Sequence, residues 1–202
     1  INVAGNFTRA AAATLTLNNS VITLDGTGTQ NLTTNGLSIP NLTINKASGS
    51  VELADALTIN TALDINSSTS ILDLNTYNLT MDTATFENDG TLRLAGSQTL
   101  TGFTNDVNSG TVEYTGTNTG VTHTIYDAGA GTDYWNLVIN DANATADTFA
   151  LGAALTVGNN LNITSGTLDT SAANSYAMTV GKAVTLTGTL NGNASTITVQ
   201  GS

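Results

Sequence analysis

Pairs of apolar residues, separated by a single polar one, return along this chain at a nearly constant interval. The segments ILDLN (71–75), TLRLA (91–95) and TVEYT (111–115) follow one another at 20 residues. Ile22/Leu24 precede Leu42/Ile44 by 20, Leu137/Ile139 precede Leu155/Val157 by 18, and Met178/Val180 precede Ile197/Val199 by 19. Inside each pair the alternation has period two, so one face of an extended strand is apolar and the other carries Thr, Asn or Asp. A repeat of this length is too short for a propeller blade and lacks the leucine-rich signature. It fits one coil of a β-solenoid, in which short strands stack on those of the next coil.

A longer repeat overlies the short one. NLTIN (41–45) returns as NLVIN (136–140), with Leu42 and Ile44 matched by Leu137 and Ile139. ALTINTALDINSS (56–68) returns as ALTVGNNLNITSG (154–166), and LDLNTYNLTM (72–81) as LDTSAANSYAMTV (168–180). The blocks run over about 19–107 and 108–192, and NASTITVQGS (193–202) begins the theme a third time. The expectation is an all-β chain, a right-handed parallel β-helix of about ten coils of roughly 18–23 residues. Residues 1–202 are expected to form a single continuous solenoid segment. A sandwich of two similar β-domains is the competing architecture, but the NG and DG dipeptides that would turn its hairpins are few.

Composition agrees. Roughly one residue in three is Thr or Asn, with 20 Gly and a single proline, Pro40. Thr suits a pleated face, Gly and Asn suit corners that need positive φ, and a proline removes a ladder donor. No stretch keeps apolar residues at helical spacing over three turns. A formal charge of −11 with four Lys+Arg argues against nucleic acid and against electrostatic binding to anionic lipid. No apolar run reaches the length of a membrane span, and the chain lacks a recognisable signal peptide. Having no cysteine, it has neither a disulfide framework nor thiol chemistry. Both ends read as mid-repeat, which suggests a segment of something longer.

YWNLVIND, ALTVGNNLNITSGTLDT and YAMTVGKAVTLTGTL resemble the repeat regions of large bacterial surface proteins. They are similar to filamentous-haemagglutinin and autotransporter-adhesin passenger repeats, and the likeness of repeat style covers essentially the whole chain. It implies a right-handed β-helix forming a stalk, fibre or adhesive surface outside the cell. It brings no catalytic residues, and no secretion cap, membrane barrel or terminal binding module is recognisable.

Four sets of residues are candidate sites. Asp73, Arg93 and Glu113 occupy one register position in three successive coils, so an outward row of alternating charge is expected. A carboxylate–arginine–carboxylate row has the makings of a lyase or glycosidase site, but an ion-pair ladder fixing coil register is the favoured reading. Tyr134 and Trp135 form a candidate surface aromatic contact for a sugar, against the favoured reading of a packed corner. His123, the single histidine, reads as an outward strand residue without metal partners. No cofactor is expected. Weak calcium at Asp-containing turns (Asp25, Asp64, Asp89, Asp127, Asp133, Asp141) is the one metal reading the sequence leaves open, with Asp as an ordinary turn former favoured.

The functional expectation is a non-enzymatic structural segment of an extracellular or cell-surface fibre, stalk or sheath. Its partners would be other coils, from its own chain or from further copies. An adhesin gripping glycans along its side is the alternative, and a carbohydrate-active β-helix enzyme the least favoured.

Overall fold

A computed structural model describes residues 1–129 and 131–201. Every regular element among them is a β-strand, and every strand pairing is parallel. Each strand pairs with one a full coil further along the chain, which is the signature of a β-solenoid. The chain divides into two compact units, residues 1–93 with 98–104, and residues 94–97 with 105 onward.

In the first unit one sheet runs through Asn2–Val3, Val21–Leu24, Ser38–Ile44, Leu57–Ile65, Leu79–Met81 and Leu100–Thr101. The far half of Leu57–Ile65 also pairs with Thr85–Asn88. A second sheet stacks Phe7–Thr8, Gln30–Thr33, Val51–Leu53, Ile71–Asp73 and Thr91–Leu94. The register places like on like: Leu42 beside Leu63, Ile44 beside Ile65, Leu32 beside Leu53 and Leu72 beside Leu92. These side chains are buried, while the Thr and Asp between them are half-exposed. Burying a Leu or Ile fully is worth about 1.5–3 kcal/mol, so each rung adds to the apolar interior. Pro40 lies mid-strand without breaking the ladder, because the register shifts by one residue between Ile39 and Asn41. The bulge leaves Pro40 out of the pairing.

The second unit has three sheets. Thr111–Tyr114, Asn136–Asn140, Asn160–Ser165 and Ala183–Leu186 form one. Thr122–Thr124, Thr148–Ala150, Thr167–Asp169 and Thr189–Asn191 form another, and Leu155–Val157, Met178–Val180 and Ile197–Val199 the third. Here the short-period reading needs correction. Leu137 and Ile139 do not stack on Leu155 and Val157; they pair with Leu161 and Ile163. Leu155 and Val157 instead begin the third sheet and pair with Met178 and Val180. The long repeat absorbs this change. In the first unit Leu42/Ile44 stack on Leu63/Ile65, and Leu57/Ile59 on Leu79/Met81, the positions matched in sequence to those of the second.

Partners lie 20–25 residues apart in the first unit and 19–26 in the second, a wider spread than the sequence suggested. The variation lies at the corners, where backbone turns through positive φ. Five of the eight non-glycine residues so placed are Asn, among the described residues. Gly49 shows why some corners demand glycine: its φ is +76°, and a Cβ there would sit 2.2 Å from the carbonyl oxygen of Gly28 one coil below.

Candidate functional site

In the expected charge row, Arg93 pairs in register with Asp73, and its Nη1 lies 3.4 Å from Asp73 Oδ2. Burial pushes the Asp73 carboxyl up, against the opposing pull of the Asn75 backbone N–H and of Arg93. Glu113 differs from the expected outward residue. It is only 9% exposed, in the second unit, and its Oε1 accepts a 2.7 Å hydrogen bond from Asn140 Nδ2. Asp73 and Arg93 therefore make a half-exposed ion pair, and Glu113 an enclosed contact to an amide.

The aromatic pair also divides. Tyr134 is fully buried, and so is not a surface contact. Its hydroxyl donates to the Tyr126 carbonyl at 2.6 Å and lies 3.0 Å from the Tyr114 hydroxyl, which in turn accepts the Tyr126 N–H at 2.9 Å. Tyr114 packs on Phe149 with ring centroids 5.3 Å apart. Burial pushes the Tyr114 phenol up to about 12, so it remains protonated, and because the Tyr134 proton goes to the Tyr126 carbonyl, Tyr114 is the donor between the two hydroxyls. Trp135 is half-buried, with its ring beside Gly158. An interior tyrosine can satisfy its hydroxyl only by such bonds.

The densest polar constellation is one that the residue pattern did not reveal. Asp147, 1% exposed, gathers the 117–121 corner. Its Oδ2 accepts from Thr117 N at 2.5 Å, Thr117 Oγ1 at 2.7 Å and His123 Nε2 at 3.1 Å. Its Oδ1 accepts from Val121 N at 3.0 Å and Thr119 N at 3.2 Å. Asp147 N donates to Asp141 Oδ2 at 2.5 Å, so two buried acids are linked in series. His123 is not an outward residue: its side chain is 9% exposed and rests 5.9 Å from the Phe149 ring. Burial works to raise the Asp147 carboxyl, but the Thr117, His123 and Val121 hydrogen bonds outweigh it and hold the group well below the usual carboxylate range. Thr117 and Asp147 both meet the same ring nitrogen, Nε2. A nucleophile–base–acid relay needs the two partners on different nitrogens, so the arrangement clamps a corner and does not activate a hydroxyl.

The first unit carries an open concavity of about 210 Å³ on the outer face of its longer-stranded sheet. Val21 and Ala62 supply apolar surface there, and Asn41, Thr43, Asp64 and Glu87 polar groups. Asp64 and Glu87 stand on paired rungs, and burial, with the like charges of Glu87 and Asp89, raises the Asp64 carboxyl.

Among the described residues no group of three or more His, Cys, Asp or Glu is placed to hold a metal ion. No helix is long and apolar enough to cross a membrane.

The class defined by this geometry is a parallel β-solenoid repeat protein, with its polar side chains committed largely to corners and rungs. No protein-family model, no curated protein and no solved structure matches the chain.

Proposed function

We propose that this chain is a structural segment of an extracellular or cell-surface fibre, stalk or sheath, which works by stacking coil on coil and not by catalysis. The observation that carries the reading is that like stacks on like from coil to coil: Leu42 beside Leu63, Ile44 beside Ile65, Leu155 beside Met178 and Val157 beside Val180, all buried. A rung of this kind pairs readily with a further β-coil, which matches both its hydrogen-bond spacing and its apolar pattern. Leu186 and Val199, on rungs next to the buried Ile163 and Val180, are 50% and 48% exposed. The acidic Thr/Asn exterior suits a solvated, self-avoiding surface. Electron microscopy of the native material tests this, with continuous filaments of stacked coils expected. Leu186→Glu with Val199→Glu should abolish stacking of the isolated chain at high concentration. A chain that stays monomeric at every concentration, unchanged by these substitutions, would count against the proposal.

A second reading, an adhesin gripping glycans along its flank, is favoured by the concavity over Asn41, Thr43, Asp64 and Glu87, whose polar groups on an apolar floor suit sugar hydroxyls. Titration with neutral oligosaccharides against wild type and Asn41→Ala distinguishes it, since only a glycan site weakens with that change.

A further inference from the structure

Lys46 and Gln30 meet inside the first unit, each only 1% exposed. Lys46 Nζ lies 2.7 Å from Gln30 Oε1 and donates to the Gly26 carbonyl at 2.5 Å. The same Oε1 accepts the Gly26 N–H at 2.9 Å. On the other side of the amide, Gln30 Nε2 donates to the carbonyls of Val3, at 2.8 Å, and Gly5. These partners fix the orientation of the amide and turn its carbonyl toward the amine. Both acceptors of Nζ are neutral oxygens, and no carboxylate is within ion-pair distance of it among the described residues. Position 26 admits only glycine, because a Cβ there would sit 1.9 Å from Ala4 O.

A buried amine held against a carboxamide is a reactant pair as well as a hydrogen bond. With a carbonyl bond of about 1.23 Å and an angle of about 120° at the acceptor, Nζ stands about 3.5 Å from Gln30 Cδ. That is the separation of a near-attack arrangement. We propose that Lys46 Nζ attacks Gln30 Cδ to form an intramolecular ε-(γ-glutamyl)lysine isopeptide bond, with release of ammonia. The amine turns about its Cε–Nζ bond to aim its lone pair at Cδ, while one N–H stays on Gly26 O. As the Nζ–Cδ bond forms, the carbonyl electron pair moves to Oε1, where the Gly26 N–H stabilises the oxyanion. Collapse of this intermediate breaks the Cδ–Nε2 bond, and the proton shed by Nζ leaves on Nε2 as ammonia. One amide replaces another, so neither oxidant nor co-reactant is consumed. Nε2 points at the Val3 and Gly5 carbonyls, and the exposed Ala4 and Gly5 give the ammonia its way out. Burial lowers the Lys46 ammonium, against the charge of Asp25, and so favours the nucleophilic amine. Until the bond forms, Lys46 keeps a titratable group. The strands Val21–Leu24 and Ser38–Ile44 pair just before Gly26 and Lys46, so the bond staples successive coils of a chain that has no cysteine.

Mass spectrometry of the intact folded chain tests the proposal. Loss of one ammonia is expected on incubation, and none from the chain held unfolded in urea. Trypsin cuts after a lysine only while its amine is free. The reacted chain should therefore yield residues 10–93 as one peptide, lighter by one ammonia, with fragment ions joining Gln30 to Lys46. In denaturant an amine-reactive label should reach Lys182 but not Lys46. Lys46→Arg, which keeps the cation and loses the nucleophile, should hold its full mass. The wild-type peptide map decides the matter even where that variant does not fold. A folded wild type that keeps its full mass and a cleavable Lys46 after prolonged incubation overturns the proposal. Ammonia loss that proceeds equally in urea, or that maps to a cyclic imide at Asn35-Gly36 instead, overturns it as well.

Discussion

His123 and Asp147 meet at 3.1 Å with both side chains enclosed. The carboxylate cannot donate, so His123 must present Nε2–H to it. This pair closes a ring of donors around one buried anion, and the 117–121 corner depends on it.

Removing the anion leaves Thr117, Thr119 and Val121 N–H groups without their acceptor. Asp147→Ala is therefore expected to cost about 2–4 kcal/mol, from orphaned donors and a small cavity. Chemical denaturation read by circular dichroism would show it. A loss below about 0.5 kcal/mol would mean that the corner finds other partners.

The acid limb of the stability curve should carry the same signature. The folded Asp147 carboxyl lies below its unfolded value of about 3.9. Its contribution is thus complete above pH ~4 and is lost as pH falls through the folded value. Asp147→Asn, less stable at neutral pH, should show a shallower decline on acidification. Parallel curves for the two proteins would contradict this.

Lys46 offers the opposite slope. It is 1% exposed and donates from Nζ to Gly26 O at 2.5 Å and Gln30 Oε1 at 2.7 Å. Burial pushes its ammonium down, and the charge of Asp25 only partly restores it. A folded value below the unfolded one means that the folded state prefers the neutral amine. Stability should therefore rise as pH climbs from the folded toward the unfolded value of about 10.4. Lys46→Met, which keeps volume but cannot titrate, should flatten that rise. A rise that persists in the variant would place its source elsewhere.

Glycine substitutions separate a crowded corner from an open one. Gly49→Ala forces a side chain into positive φ and against the Gly28 carbonyl, for an expected loss of about 2–4 kcal/mol. Gly5→Ala, with nothing within 4 Å of the new Cβ, should cost well under about 1 kcal/mol. Matched urea midpoints would show that Gly49 is not held by the coil below.

The rungs are legible in the sequence because their information is local. Leu42–Ile44 and Leu72–Leu74 alternate over adjacent residues, and the partner one coil away repeats the pattern. The corners are not legible, for a corresponding physical reason. Asp147 meets His123 across 24 residues, Thr117 across 30 and Val121 across 26, so no single spacing aligns them while coil length is unknown. In isolation Asp133 and Asp141 read as ordinary turn residues, and no motif singles out Asp147. Tyr114 and Tyr134 meet hydroxyl to hydroxyl, but their 20-residue spacing is not a coil step, because the rung partner of Tyr114 is Ile139. Reading Tyr134 beside Trp135 as a surface dipeptide obscures that contact. Pro40 is visibly foreign to a ladder, but the bulge that accommodates it emerges only from the register of both neighbours.

The spread of coil lengths, from 19 residues between Thr148 and Thr167 to 26 between Thr122 and Thr148, leaves both pairings intact. Heredity can therefore lengthen or shorten this molecule's corners almost freely, while a single residue gained inside a strand inverts inside and outside for the rest of that rung. Peptides grafted at the exposed 11–12 or 172–173 bends would be displayed at the flank without disturbing the ladder, and a tag placed within 161–163 would break it. The architecture thus separates what can drift from what must be copied, and any diversity among molecules of this kind should be concentrated at the bends.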